Sequence, residues 1–538
     1  MLNRYYYPLI KGRKPEDVQS DVCVYGATSS GIVCAVEAAR MGKSVSIVEF
    51  GKFIGGMTTS GLSATDIGDK SSIGGLTLEF HKELGNYYGD GERWFFEPKV
   101  ASKVFSDWIE KYSIGLYRQQ VLYKVEMSAD RRISTLITED GSRFRAKVFV
   151  DATYEGDLMA RAGVSYTIGR EGNEEYDEHF SGIHYGSDHH NFLRFVDPYR
   201  VPGDHNSGLL PGISSMPFGH NGEGDKLTQA YNFRLCITKD EKKKVLFPKP
   251  KEYDVERYEL LRRYIDAGIF DVFNLSIPIP NNKADHNSWG AVNSDNVGGN
   301  YLWPDGNYEV RELIYQDHIH YQKGLFWFLC NDLRIPRRVR KAANEWGLAG
   351  DEFTETDNWP PQLYVREARR MRSDYIITEH NAFGKIKADD PIGMASFKMD
   401  SHNCKRVVKS GRAMNEGNFE VGLISPYGIS YRALRPKRSE CRNLLVSICI
   451  SASHIAYCSI RMESVYMIMG QSAGVAAAMA IDKTDSIVQD ISYSDLQREL
   501  LIKGQVLGEL EQTPEELELE GKRTAGGEVA TGIRSTSR

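Results

Sequence analysis

Residues 21–61, DVCVYGATSSGIVCAVEAARMGKSVSIVEFGKFIGGMTTSG, read as strand, glycine turn, helix and second strand, followed by a second glycine-rich loop. Val22 to Tyr25 is an apolar run too short for a helix. Gly26 lets the chain turn sharply, and Ser29 or Ser30 is placed to cap the helix that follows. A dinucleotide fingerprint asks for glycine at the tight turn, at the approach to pyrophosphate and at the helix–strand contact. These positions are Gly26, Thr28 and Gly31, so the middle glycine is replaced. Glu49 closes the second apolar run, at the offset of about 20 residues where an acid accepts hydrogen bonds from a ribose hydroxyl.

After Glu49 comes a loop rich in glycine and hydroxyl residues, Gly51 to Gly61, which an ordinary NAD domain does not need. Here the sequence resembles the two-dinucleotide-binding-domain flavoproteins, in which a GGM-type loop lies along the ribityl chain and flavin ring. The resemblance implies FAD rather than NAD, with Gly55, Gly56, Met57 and Thr58 at the cofactor.

The chain has 538 residues, 41% hydrophobic and 26% charged, enough to bury one large core or two. A net charge of −6 gives no general attraction to nucleic acid or anionic membrane. There is no run of 18 apolar residues and no signal-like N-terminus, so a cytoplasmic protein is expected. The cysteines at 23, 34, 236, 330, 404, 441, 449 and 458 form no CxxC pair. They read as reduced packing residues, with no metal site.

Residues 1–20 are a tyrosine-rich lead-in with no assignable chemistry. Helical spacing over Leu78 to Tyr88 and Pro98 to Tyr112 is followed by three strand-like runs between 115 and 150. The last ends in Asp151-Ala152-Thr153-Tyr154-Glu155-Gly156-Asp157-Leu158. From 165 to 415 polar and aromatic residues dominate. The loops from Pro280 to Gly306 carry amide, carboxylate and aromatic groups that suit either a polyhydroxylated ligand or their own backbone. Arg311 to Trp346 is helical in spacing, broken at Pro336. A late strand, Asn443 to Ile450, leads through a Ser-Ala-Ser-His loop into an apolar helix from about Arg461 to Ile481.

Together YGATSSG, GGMTTSG, DATYEGD, LYVREARRM, MDSHN, SYRALRPK and ASHIAYCSIRM…GQSAG resemble the FAD-dependent oxidoreductase family, some relatives of which are labelled xanthan-lyase-like. The likeness covers roughly 20 to 485. It implies an α/β fold: a Rossmann-like FAD-binding domain in two parts, 21–165 and 416–485, with an inserted α+β cap or substrate domain at 166–415. The remainder, 486–538, is a C-terminal extension whose end is expected to be disordered. The resemblance also places Ala152, Gly156 and Asp157 beside the adenine and pyrophosphate, and the late helix, with Gly470, at the flavin.

No second glycine-rich βαβ unit is present to bind NAD(P)H. The expected reaction is therefore hydride transfer from a hydroxylated small molecule to FAD, with oxygen or another acceptor taking the electrons. A hydroxyl proton then needs a base, for which His454 is the first choice and His402, near Asp400, the second. Arg461 and Arg366 would hold substrate or anionic flavin, or serve as ion-pair partners. Two other functions fit the same residues: a flavin-dependent lyase using transient oxidation, and a flavin-fold binding protein without chemistry.

Overall fold

A computed structural model describes residues 5–8, 12–187, 189–273 and 276–508. The last thirty residues, including the stretch expected to be disordered, lie outside the described residues.

The opening stretch folds as β1 (Asp17–Tyr25), α1 (Ser29–Arg40) and β2 (Val45–Val48). β1 and β2 run parallel, with Val22 opposite Val45 and Val24 opposite Ile47. Val22–Tyr25 and all of β2, Ser46 included, are buried because both faces of the parallel sheet are covered. Next come α2 (Gly75–Tyr88) and α3 (Pro98–Lys111), then β3 (Gly115–Tyr117), β4 (Leu122–Met127), β5 (Ile133–Thr138), β6 (Arg143–Asp151) and α4 (Asp157–Arg161). The sheet order is β3-β2-β1-β6-β5-β4. β6 is long enough for two partners on one edge. Phe144 pairs antiparallel with Leu136 of β5, while Leu445, in the late strand Leu444–Val446, pairs parallel with Val150.

That late strand is shorter than the sequence suggests, and it returns the chain to the first βαβ unit. It is followed by a short helix, His454–Ile460, and a long one, Glu463–Lys483. The long helix is the one described helix apolar and long enough to cross a membrane, and it is buried. It lies directly on α1: a Cβ on Gly470 would come 2.2 Å from the Ser30 carbonyl oxygen, and one on Gly474 2.5 Å from that of Cys34.

Between these halves, a five-stranded antiparallel sheet runs in the order Lys244–Val245, Gly347–Ala349, Leu235–Thr238, Lys283–His286, Ser276–Ile279. It is accompanied by the helix Tyr308–Asn331, which stops before Pro336 as expected. The stretch 362–371 is mostly irregular; only Arg370–Met371 forms a strand, against Tyr166–Thr167. Buried ion pairs join this region to the dinucleotide sheet. Arg311 and Arg369 both bind Asp157, and Asp285 binds Arg234 while accepting from the amides of Ser63 and Ala64. All eight cysteines are free and buried.

Candidate cofactor cleft and polar cluster

The glycine turn after β1 is forced by its surroundings. Gly26 has φ 104°, and a Cβ there would meet the Ala152 carbonyl oxygen at 2.8 Å. Gly31 is equally crowded, with 2.0 Å between its notional Cβ and the Gly26 oxygen. Thr28, in place of the usual middle glycine, is the N-cap of α1. Its hydroxyl accepts from the Gly31 amide at 3.2 Å and donates to the Ala152 carbonyl at 2.7 Å. The cap is therefore Thr28 and not Ser29 or Ser30. Its side chain is turned into the fold, which leaves the approach to the helix N-terminus open.

The second loop docks on the first through the Gly55 amide, which donates to the Ala27 carbonyl at 2.6 Å. Gly56, at φ 57°, lies so close to the Tyr154 hydroxyl that a Cβ would come within 2.3 Å of it. The Met57 amide donates to the same hydroxyl at 2.9 Å. Glu49 accepts from the amides of Ala27 and Gly51, both at 2.6 Å, and burial lifts its pKa. A cleft runs between these parts, lined by Glu49, Gly26, Thr28, Gly56, Thr153 and Glu155.

Several expected contacts are placed elsewhere. Ser29 and Thr58 donate to the buried carboxylate of Glu463, at 2.7 and 2.6 Å, where the Tyr154 hydroxyl joins them at 2.7 Å. Ser30 bonds Ser447 at 2.8 Å. Gly470 packs on the backbone of Ser30, so it brings the long helix against α1 and does not line the cleft. Asp157 lines the cleft, yet its oxygens are held by Arg311 at 2.6 and 2.9 Å and by Arg369 at 2.7 Å. Burial opposes its ionisation, but the two guanidiniums hold it well below the usual carboxylate range. Gly156, at φ 68°, is the N-cap of α4 and packs on Cys449.

A second cluster of polar side chains brings together His402, Asp295, Arg366 and Arg461 from four separate segments. His402 follows the strand Met399–Ser401, and its Nδ1 is 2.8 Å from Asp295 Oδ2. Sequence proximity suggested Asp400 as its neighbour, but the carboxylate that holds the ring is 107 residues away, in the polar loop after Pro280. Asp295 also faces Arg366, whose Nη2 is 3.0 Å from Oδ1 and whose guanidinium lies 4.6 Å from the Tyr364 ring centre. Arg461 donates to the Tyr364 hydroxyl at 3.0 Å and to the Asp400 carbonyl at 2.7 Å. Burial, then the nearby Arg366 charge, lower the His402 pKa against the opposing pull of Asp295 and Asp400. Burial lifts Asp66, which faces Arg234 and Asp400, to about 6.

His454 is not in a loop: it is the first residue of its helix, capped by Ser453. Its Nδ1 is 2.7 Å from Glu367 Oε2 and its Nε2 3.5 Å from Ser401 Oγ, with the residue 1% exposed. Gln229 ties the two histidines together, donating to Glu367 at 2.9 Å and accepting from the His402 amide at 3.1 Å.

The sequence matches the model of the FAD dependent oxidoreductase family over residues 21–500. The chain belongs to the FAD-dependent oxidoreductase family. Its cofactor is FAD. No curated protein matches the sequence. Among solved structures, it is similar to the L-amino acid deaminase from Proteus vulgaris, at 19% identity over 30% of this chain and 54% of that one, with a TM-score of 0.24. It is also similar to L-proline dehydrogenase from P.horikoshii, at 16% identity over 30% of this chain and 59% of that one, with the same TM-score. The chain thus spans little more than half the length of these structures.

The residues of the oxidoreductase fit the cofactor. A glycine cradle at a helix N-terminus suits a pyrophosphate, and Glu49 keeps acceptor capacity on both oxygens beyond its two amide bonds. Two partners escaped the sequence reading. Asp295 stood in a loop of generic polarity, and Glu463 looked like the first acidic residue of a helix, which the dipole alone favours.

Glu155 makes the cleft pH-sensitive. Burial lifts its pKa to about 7, and Trp303 donates to it at 3.3 Å. An unfolded glutamate titrates near 4.3, so the folded protein holds this proton more tightly; the resulting stability is present below about pH 4.3 and lost as pH rises through about 7. Glu155→Gln should therefore gain stability over the natural protein as pH rises from 5 to 8, by on the order of 3 kcal/mol. Melting temperatures of both proteins at the two pH values check this, and a difference independent of pH would contradict it.

Proposed function

We propose that the oxidoreductase oxidises a hydroxylated small molecule, with His402 taking the hydroxyl proton. FAD, when bound, would supply the hydride acceptor. The carrying observation is the His402–Asp295 pair. Nδ1–H donated to Asp295 leaves the lone pair on Nε2, which makes no hydrogen bond among the described residues, and the lowered pKa keeps it unprotonated. His454 has the weaker claim, since its ring is closed in between Glu367 and Ser401.

Arg366 and Arg461 are proposed to orient the substrate. Each is buried, and Nε of both lacks a hydrogen-bond partner among the described residues. Buried guanidiniums with spare donors suit an oxygen-rich ligand. Electrons are proposed to leave to oxygen or another small acceptor, in the cytoplasm and independently of nucleic acid or membrane. Turnover against sugars, polyols and hydroxy acids, followed by oxygen uptake or reduction of an artificial acceptor, tests this. Acceptor consumption with one class of hydroxylated compound is expected; conversion of substrate without acceptor would contradict it.

Glu49 is proposed to bind the adenosine ribose. Glu49→Ala should weaken FAD binding by about 1–3 kcal/mol, the scale of a lost charged hydrogen bond. Titration of the apoprotein with FAD measures it, and unchanged affinity would remove Glu49 from that role.

A further inference from the structure

The tyrosine-rich lead-in carries no recognisable motif, yet its described part, residues 5–8, reaches the cofactor cleft. The amides of Tyr5, Tyr6 and Tyr7 all donate to the carboxylate of Glu312, at 2.8, 2.8 and 2.6 Å. Glu312 is 6% exposed on the helix Tyr308–Asn331, so these three amides, with Gln316, satisfy a carboxylate removed from water. The same short segment touches the dinucleotide side, where the Tyr7 hydroxyl donates to Glu139 at 2.6 Å.

This anchoring fixes where Tyr6 sits. Its ring centre lies 4.6 Å from Phe50, the residue after Glu49, and 4.9 Å from Trp303, which itself bonds Glu155. Tyr6 lines the same cleft as Glu49, Gly26 and Glu155. A flat ring held between two aromatics at the edge of a nucleotide cleft offers stacking area to a purine.

We propose that residues 5–7 form a strap that walls the adenosine end of the FAD site, with Tyr6 as its contact to the cofactor. The strap bridges the two regions between which FAD lies, so the cofactor cannot leave past Glu49 without displacing Tyr6. Tyr6 lines the cleft together with Gly26 and Gly56, and its ring rests on Phe50 and Trp303, which makes it a wall in this proposal and not a plug. The inference rests on the reading that Glu49 marks the adenosine end.

The test is the release rate of FAD from loaded protein, followed by the rise of flavin fluorescence on dilution. Tyr6→Ala should release FAD about three- to tenfold faster, the equivalent of one aromatic contact. Tyr6→Phe should stay near the natural rate, because the ring remains. Glu312→Gln, which leaves every ring in place but weakens the anchor, should also speed release. In the unmodified protein, FAD should slow chymotryptic cleavage at Tyr5 to Tyr7. Natural release from Tyr6→Ala would overturn the strap, as would tighter FAD binding, which marks a plug, or cleavage indifferent to FAD. Glu49→Ala separates the two readings. Natural affinity there removes the adenosine placement beneath the strap, whereas weakened affinity there with unchanged release from Tyr6→Ala removes the strap alone.

Discussion

His402→Ala should retain FAD and reduce it about 10²–10⁴-fold more slowly, the usual cost of losing a positioned general base. The variant keeps the cofactor because His402 lies outside the glycine cradle and bonds Asp295 and Gln229, not the cleft walls. The rate falls because the lone pair on Nε2 is lost. Asp295→Asn should lower the rate less and shift its pH profile, since it removes the carboxylate that fixes the tautomer and leaves the ring in place. His454→Ala should behave differently. Without its imidazole, Glu367 keeps Arg370 and Gln229 but loses a partner in a buried network, so the variant loses stability while any surviving loaded protein is reduced at close to the natural rate. Anaerobic single-turnover reduction of all three loaded variants distinguishes the roles. A natural rate for His402→Ala with a large defect for His454→Ala would return the base to His454.

Asp157→Ala should lose about 3–5 kcal/mol of stability, because it leaves two buried guanidiniums without their shared counter-ion. Arg311 is 1% exposed and loses its only ion-pair partner among the described residues, whereas Arg369, 7% exposed, keeps Asp305 at 2.9 Å. If Asp157 served only the cofactor, the apoprotein would melt as the natural one does and FAD affinity alone would fall. Melting of the apoprotein is therefore the deciding measurement. Arg311→Met is a useful companion: replacing one cation by an apolar side chain of similar length leaves Asp157 paired with Arg369, and should cost less than losing the carboxylate.

The parallel core was legible because its causes are local. Val22 to Tyr25 and Val45 to Val48 are short, mostly apolar runs buried on both faces, Gly26 and Gly31 sit where a Cβ collides with backbone, and Glu49 follows the second strand within reach of the turn. The cap of α1 was misread by one residue because Thr28, Ser29 and Ser30 are all good caps; only the third dimension shows that Ser29 is drawn to Glu463 and Ser30 to Ser447. Gly470 was read as facing the flavin because small residues serve ligand and helix contacts alike, and here the contact is with Ser30. The polar cluster around His402 was legible only in part. His402, Arg366 and Arg461 stood out by residue type, but Asp295, which organises two of them, is brought in from a separate loop by tertiary folding. The lead-in offered nothing to read, since backbone amides around Glu312 leave no trace in side-chain pattern.

FAD-loaded protein mixed anaerobically with a sugar, polyol or hydroxy acid identified by the acceptor screen should show net bleaching of one flavin per oxidised product when flavin absorbance is followed through one turnover. The bleaching should be stable until oxygen or another acceptor is admitted, and slowed by His402→Ala. Product formed without net bleaching, or no bleaching with any hydroxylated compound, would contradict the proposed oxidation.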